Sequence, residues 1–343
     1  MANQGNFQVP FWRLRKRMNK EYEKKGIIIT VVFVSIIMMI VGIIMYMDKR
    51  YDYSRYEIEG ANRFGVSFMT MNNPFFAVIS DSIRTAAEAN GDIVIVRDPA
   101  LDAERQNTQI RDMLAEGIDV LFVTPVDYEA IIPVISEAKE KGVIIISVDT
   151  EISVTDLADC AVVSNNYLAG RQCGEYLMNE KESAKILILG HSKTKSGNDR
   201  ISGFVDAIKG HEDYQIIDIL DAEGQVEIAM PITNEVINAG KDFDTVFAIN
   251  DLSALGAMAA LKDSDKINDV AVLGVDGSPE AKAMIKEKLM LATSAQHPVR
   301  VGDYALEQAY KILRNESYEE KILVDVELIT RENVESFGIS NWQ

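Results

Sequence analysis

Cysteine, histidine and tryptophan are scarce: two, three and two among 343 residues. Two cysteines, Cys160 and Cys173, allow one bridge at most, so a disulfide-stapled fold is excluded. Cys173 falls in a helical pattern and Cys160 just before a strand, a setting that suits buried free thiols better than a bridge. His191, His211 and His297 lie in unrelated segments, and none has metal-ligand spacing with another His or Cys. No GxSxG elbow, DxDxDG calcium loop or GxGxxG after the first strand occurs, so the sequence calls for neither metal nor cofactor. Gly190-His191-Ser192-Lys193-Thr194 lacks the glycine before Lys193 that a phosphate loop requires, and reads as a strand-to-helix loop. Asn315-Glu316-Ser317 matches a glycosylation sequon, a pattern too short to carry weight alone. No catalytic constellation is recognisable, which points to binding, not catalysis.

What is present divides the chain. Residues 27–47 are an uncharged apolar run of 21 residues. At about 1.5 Å per residue a helix of that length spans about 30 Å, the thickness of a bilayer's hydrocarbon core. Seven basic residues precede it (Arg13, Arg15, Lys16, Arg17, Lys20, Lys24 and Lys25), opposed by Glu21 and Glu23. That bias keeps residues 1–26 in the cytoplasm and sends the remainder across the membrane. A cleaved secretory signal is the rival reading. Its apolar region would be shorter, and Met45-Tyr46-Met47-Asp48 offers no small-residue cleavage site. Either way the body is extracytoplasmic. The first fifty residues carry a balance of +6, so a chain of net charge −18 leaves −24 beyond them. Such an acidic body repels nucleic acid and anionic lipid. Residues 48–61 are polar and Tyr-rich, and read as a stalk.

The body alternates apolar runs with amphipathic stretches. Strands are predicted at 63–69, 93–96, 120–123 and 143–148, with helices at 74–89, 103–116 and 128–141 between them. The rhythm restarts with strands at 186–189, 214–220, 245–249 and 270–275, and helices at 202–209, 226–239, 252–262 and 279–288. The strand runs are continuous Val/Ile/Leu, not alternating, as in parallel strands covered on both faces. Two successive βα sets predict an α/β protein of two doubly wound lobes, meeting near Ser164-Asn165-Asn166.

Ligands of open α/β sheets sit outside the carboxyl ends of the strands. Those places hold Asn73, Phe75, Phe76, Thr124 and Asp149 in the first half. In the second half they hold Arg200, Asn250, Asp276 and Gln296. Planar carboxylates, amides and a guanidinium can each engage two adjacent hydroxyls of a sugar, and a Phe face covers the apolar side of its ring. Several have a plainer alternative. Asn73 also suits an N-cap ahead of Pro74, Asn250 a cap of the next helix, Asp276-Gly277 an ordinary turn, and Arg200 a surface helix. Adjacent Phe75 and Phe76 cannot face the same way on a helix.

The body resembles type I periplasmic binding proteins of the ribose/galactose class. The resemblance is carried by Asn72-Asn73-Pro74-Phe75-Phe76, Val148-Asp149, Arg200 with Gly203-Phe204, Asn250-Asp251 with Ala254-Leu255-Gly256-Ala257, Gly274-Val275-Asp276-Gly277-Ser278-Pro279, and Gln296. It implies three chain crossings, near Asn165, His297 and Val324. The first lobe would then hold 62–165 plus 298–323, and the second 166–297 plus 324–340. It further implies a small sugar or polyol gripped between the lobes and delivered to the permease of an ABC transporter. A sensing role, reporting to a histidine kinase or chemoreceptor, is the alternative. A repressor of this fold would carry a helix-turn-helix where this chain has its apolar run. The chain departs from ribose-binding members at Thr150, where they often have Arg, and at Thr124, where they have Asn. It departs again at Gly224, where their second-lobe stacking aromatic falls.

Overall fold

The computed structural model describes Met38, Met39 and residues 60–343. Apart from Met38 and Met39, the expected membrane helix at 27–47 lies outside the described residues, as do the cytoplasmic segment and most of the stalk. Among the described residues no helix is long and apolar enough to cross a membrane. Residues Ala61–Gln343 form one compact unit.

That unit contains two six-stranded sheets. The first has the order β11-β5-β4-β3-β1-β2, built from β1 (Arg63–Ser67), β2 (Ile93–Arg97), β3 (Val120–Val123), β4 (Ile144–Val148), β5 (Cys160–Ser164) and β11 (Lys321–Val324). All its pairings are parallel. The second has the order β12-β10-β9-β8-β6-β7, from β6 (Ala184–Gly190), β7 (Tyr214–Asp221), β8 (Thr245–Ala248), β9 (Ala271–Asp276), β10 (Ala292–Ala295) and β12 (Glu327–Thr330). Here β12 runs antiparallel to β10, the single departure from the expected parallel pattern. The chain passes from the first sheet to the second after β5, returns after β10, and crosses again between β11 and β12.

Helices cover the sheets. In the first lobe these are α1 (Pro74–Ala89), α2 (Ala103–Ala115), α3 (Ile132–Glu140) and the returning α9 (Pro298–Leu313). In the second they are α4 (Asn166–Glu180), α5 (Lys195–Ile208), α6 (Val226–Asn238), α7 (Asp251–Asp263) and α8 (Pro279–Lys286). Two expectations shift. The helix predicted at 128–141 begins only at Ile132, because the Asp127 carboxylate accepts from the Glu129 and Ala130 N–H groups (3.0 Å each) and holds those residues in a turn. The helix predicted at 202–209 begins seven residues earlier, at Lys195, where the Thr194 hydroxyl caps the Gly197 N–H at 3.2 Å. Each lobe holds two apolar clusters. Phe64, Phe68 and Phe122 are fully buried in the first lobe, and Phe204 stacks on Phe247 in the second with centroids 4.2 Å apart. Both cysteines are buried and free.

Candidate functional site

Local chemistry brings the strand ends together. Asn73 precedes Pro74, and its side-chain oxygen accepts from the Phe75 N–H at 2.9 Å, fixing the start of α1. What Asn73 can still offer the cleft is its NH2 donor. Asn250 does the same for α7, accepting from the Ser253 N–H (3.0 Å) while its NH2 donates to the Gly224 carbonyl (2.9 Å). Ser278 caps α8 ahead of Pro279. Both plainer readings of the two asparagines therefore hold, and both residues line the cleft as well.

Arg200 sits in the second turn of α5, not in a loop. Phe204, four residues on and so on the same helical face, is pinned against Phe247 of β8, which aims Arg200 at the end of that strand. There its Nη1 donates to the Ile249 carbonyl and its Nε to Asn166 Oδ1, both at 2.8 Å. The helices α4 and α5 touch backbone to backbone at this point. A Cβ on Gly170 would lie 1.8 Å from the Arg200 carbonyl oxygen, and one on Gly203 1.9 Å from that of Tyr167. Glycine is required at both, and the close approach is what lets Asn166 reach the guanidinium.

Arg200 lies between two carboxylates from different lobes, 3.9 Å from Asp149 and 3.8 Å from Asp276, too far for hydrogen bonds. All three side chains are about 5% exposed. Burial raises the Asp149 carboxyl to about 6 despite Arg200. Asp276 is raised well above its usual range, first by burial and then by neighbouring Asp251, with Arg200 opposing. Gln296 Nε2 donates to Asp276 at 2.7 Å. Asp149 Oδ1 and Gln296 Oε1 are buried without a hydrogen-bond partner in the protein. Both aspartates sit at strand ends with positive φ, 66° at Asp149 and 137° at Asp276, a strained conformation that clusters at functional sites.

These groups line one narrow cleft between the lobes, with a cavity of about 30 Å³. Asn73, Phe75, Phe76, Asp149, Arg200, Asn250, Asp276 and Gln296 all face it. Phe75 and Phe76, expected to diverge, both contribute: they meet edge to face at 5.5 Å. Thr124 is the exception. It is fully buried, its hydroxyl donates to the Val148 carbonyl at 2.9 Å, and it joins β3 to β4 behind the cleft. Thr150, where an arginine was missed, has another task. Its hydroxyl accepts from the Ser196 N–H at 2.9 Å across the lobes, beside a bond from the Tyr128 N–H to the Lys193 carbonyl at 3.2 Å.

Sequence reasoning passed over Met69, Thr194, Ser196, Glu223 and Gln225, which also line the cleft. Thr194 and Ser196 follow β6, so the strand-end rule would have found them once α5 was started at its capping threonine. Asp251 was quoted only as part of a motif. It is buried and accepts from the Thr293 hydroxyl (2.7 Å) and the Ser278 N–H (2.8 Å), holding the turn that presents Asp276. A wider depression of about 550 Å³ lies in the first lobe around Lys139, Glu151 and Lys321. Its lysines are paired, Lys139 with Asp159 (2.6 Å) and Lys321 with Glu151 (2.9 Å), and it lacks the convergent buried polar groups of the cleft.

Comparison with known proteins agrees with this geometry. A family model described as periplasmic binding protein domain matches residues 64–317. The ribose import binding protein of Salmonella typhimurium is 29% identical over 265 residues, covering 77% of this chain and 88% of that protein. The structure of an ABC transporter solute binding protein from Mycobacterium smegmatis with bound glycerol matches with a TM-score of 0.76 and 28% identity, covering 82% of this chain and 99% of that one. The Caulobacter myo-inositol binding protein bound to myo-inositol matches at 0.75 and 25% identity, covering 80% and 95%. A match that runs through both sheets, on a chain with this cleft and this strand order, places the protein in the periplasmic binding protein family as a type I solute-binding member, not an enzyme.

Proposed function

We propose that the protein is a membrane-anchored, extracytoplasmic receptor that closes on a small sugar or polyol and presents it to the permease of an ABC transporter. One observation carries the ligand class. Arg200 stands between Asp149 and Asp276 without a hydrogen bond to either, and two buried acceptors, Asp149 Oδ1 and Gln296 Oε1, have no partner. Buried acceptors flanking a guanidinium are satisfied by a molecule whose neighbouring hydroxyls donate to the oxygens and accept from the nitrogens. Phe75 and Phe76 offer such a molecule an apolar wall. The relatives' ribose, glycerol and myo-inositol are all of this polyhydroxyl kind. The anchor rests on the apolar run at 27–47 and the basic residues before it.

Titration calorimetry of the full-length protein in detergent with D-ribose, myo-inositol and glycerol tests the ligand class. Saturable binding of at least one is expected, and heats indistinguishable from buffer for all three, alongside a panel of other monosaccharides, would remove it. Protease added to sealed spheroplasts should digest the body and spare the N-terminus.

A further inference from the structure

The chain does not stop at β12. Residues Val334–Phe337 form a short helical turn whose Val334 and Phe337 pack into the second-lobe core. Five residues beyond, Trp342 packs against the core of the first lobe. Its ring meets Phe75 edge to face, with centroids 5.7 Å apart and planes at 61°. Phe75 itself is a wall of the cleft. The last six residues thus touch both lobes, and one of them touches a ligand-lining ring.

The segment is held from the second lobe by an unusual group. Lys282, on α8, has no exposed surface, yet a lysine is rarely fully buried without partners. Its ammonium donates to the Gly338 carbonyl at 2.8 Å and to that of Asn341. Gln343 Nε2 closes the same turn on the Phe337 carbonyl at 3.0 Å. Charge-assisted bonds from a buried lysine to two carbonyls hold the segment against α8.

We propose that residues 338–343 form a strap between the lobes, with Trp342 as a positioning residue that seats Phe75 and biases the two lobes toward the closed arrangement. This rests on the solute-site reading given above and extends it: the affinity of the cleft is set partly by a side chain that does not line it. Opening the lobes pulls Trp342 away from Phe75 or drags the strap from Lys282, and either move loses contacts. The strap therefore raises the closed fraction of the ligand-free protein and slows solute release.

Spin labels at Asp112→Cys and Glu235→Cys, exposed positions on α2 and α6, report the inter-lobe distance in the full chain, since Cys160 and Cys173 are buried. In the absence of solute, Trp342→Ala should shift the distance distribution toward longer values, and Trp342→Phe should restore most of it. With D-ribose or myo-inositol, whichever binds, Trp342→Ala should weaken affinity by about 2- to 10-fold, chiefly through faster dissociation, the scale of one aromatic pair. An unchanged distance distribution in Trp342→Ala would overturn the strap. Should that variant not fold, Trp12→Phe leaves Trp342 as the sole tryptophan. Its emission should then be blue-shifted and shielded from acrylamide, and quenching like that of free indole would overturn the proposal equally. Failure of the solute reading looks different. Neither sugar would bind the parent protein, while the ligand-free distances would still respond to Trp342.

Discussion

The two lobes repeat one strand order but do different work at the cleft. The first contributes Met69, Phe75 and Phe76, with Asn73 and one carboxylate, Asp149. The second contributes Arg200, Asn250, Asp276 and Gln296, with Thr194, Ser196 and Gln225 beside them. One face is a wall with a single charge, and the other is a hydrogen-bonding hub. Their bracing differs to match. Asp276 is held by Gln296, and its turn by Asp251 and Thr293, whereas Asp149 Oδ1 has no partner. The second-lobe carboxylate is thus braced by its neighbours, whereas the first-lobe carboxylate is not, and each lobe leaves one buried acceptor, Asp149 Oδ1 or Gln296 Oε1, still to be satisfied. This division suits a receptor in which one lobe orients the ligand and the other closes over it.

The largest expected effect comes from removing the hub. Arg200→Ala leaves two buried carboxylates without their cation and the Ile249 carbonyl without its donor. Solute binding should weaken by about 2–5 kcal/mol by calorimetry. Next is the wall. Phe75→Ala should lower stability by about 3–5 kcal/mol in denaturant melts, as for other buried phenylalanines, and also reduce affinity. If it spared affinity, the first lobe would not be a ligand wall.

A pH series sharpens the contrast between the carboxylates. In the ligand-free protein Asp149 is raised to about 6, so between about 4 and 6 the folded state binds more protons than the unfolded one. Stability therefore falls as pH rises through that window and levels off above it. For this one group the loss is at most about 3 kcal/mol. Asp149→Asn should flatten that slope in chemical melts between pH 4 and 7, and an unaltered slope would deny the carboxylate its share. The smallest effect is at Thr124. Thr124→Val removes a buried bond to Val148, at a cost of about 1 kcal/mol in stability, and should leave solute affinity unchanged. A clear loss of affinity would return Thr124 to the cleft.

The sequence disclosed the strand ends because two strong local rules operate there. Continuous apolar runs mark parallel strands, and Asn-Pro or Ser-Pro pairs mark helix starts. Eight of the nine candidate residues lie together in the cleft for that reason. Thr124 lies apart from them because its hydroxyl turns sideways to the adjacent strand, an orientation no local pattern reports. The start of α5 was hidden by Gly197. A glycine there weakens helical propensity, but a Cβ at Gly197 would lie 2.8 Å from the Thr194 hydroxyl and 2.9 Å from the His191 carbonyl of the capping turn. Trp342 was wholly illegible: it lies far from Phe75 in sequence and meets it only through tertiary contact. The antiparallel β12 was equally hidden, since a four-residue strand carries no mark of direction.

The interleaved connectivity has a consequence for synthesis. Strand β11 pairs with β5 in register Lys321↔Ala161, so the first sheet keeps an open edge until about 160 more residues have been made. At about 5–20 residues per second, the ribosome takes roughly 8–30 s to supply them. For most of that interval the nascent first lobe also lacks α9 (Pro298–Leu313), the helix that covers α1. A chaperone that shields β5 during export would therefore act while residues 165–321 are still being translated.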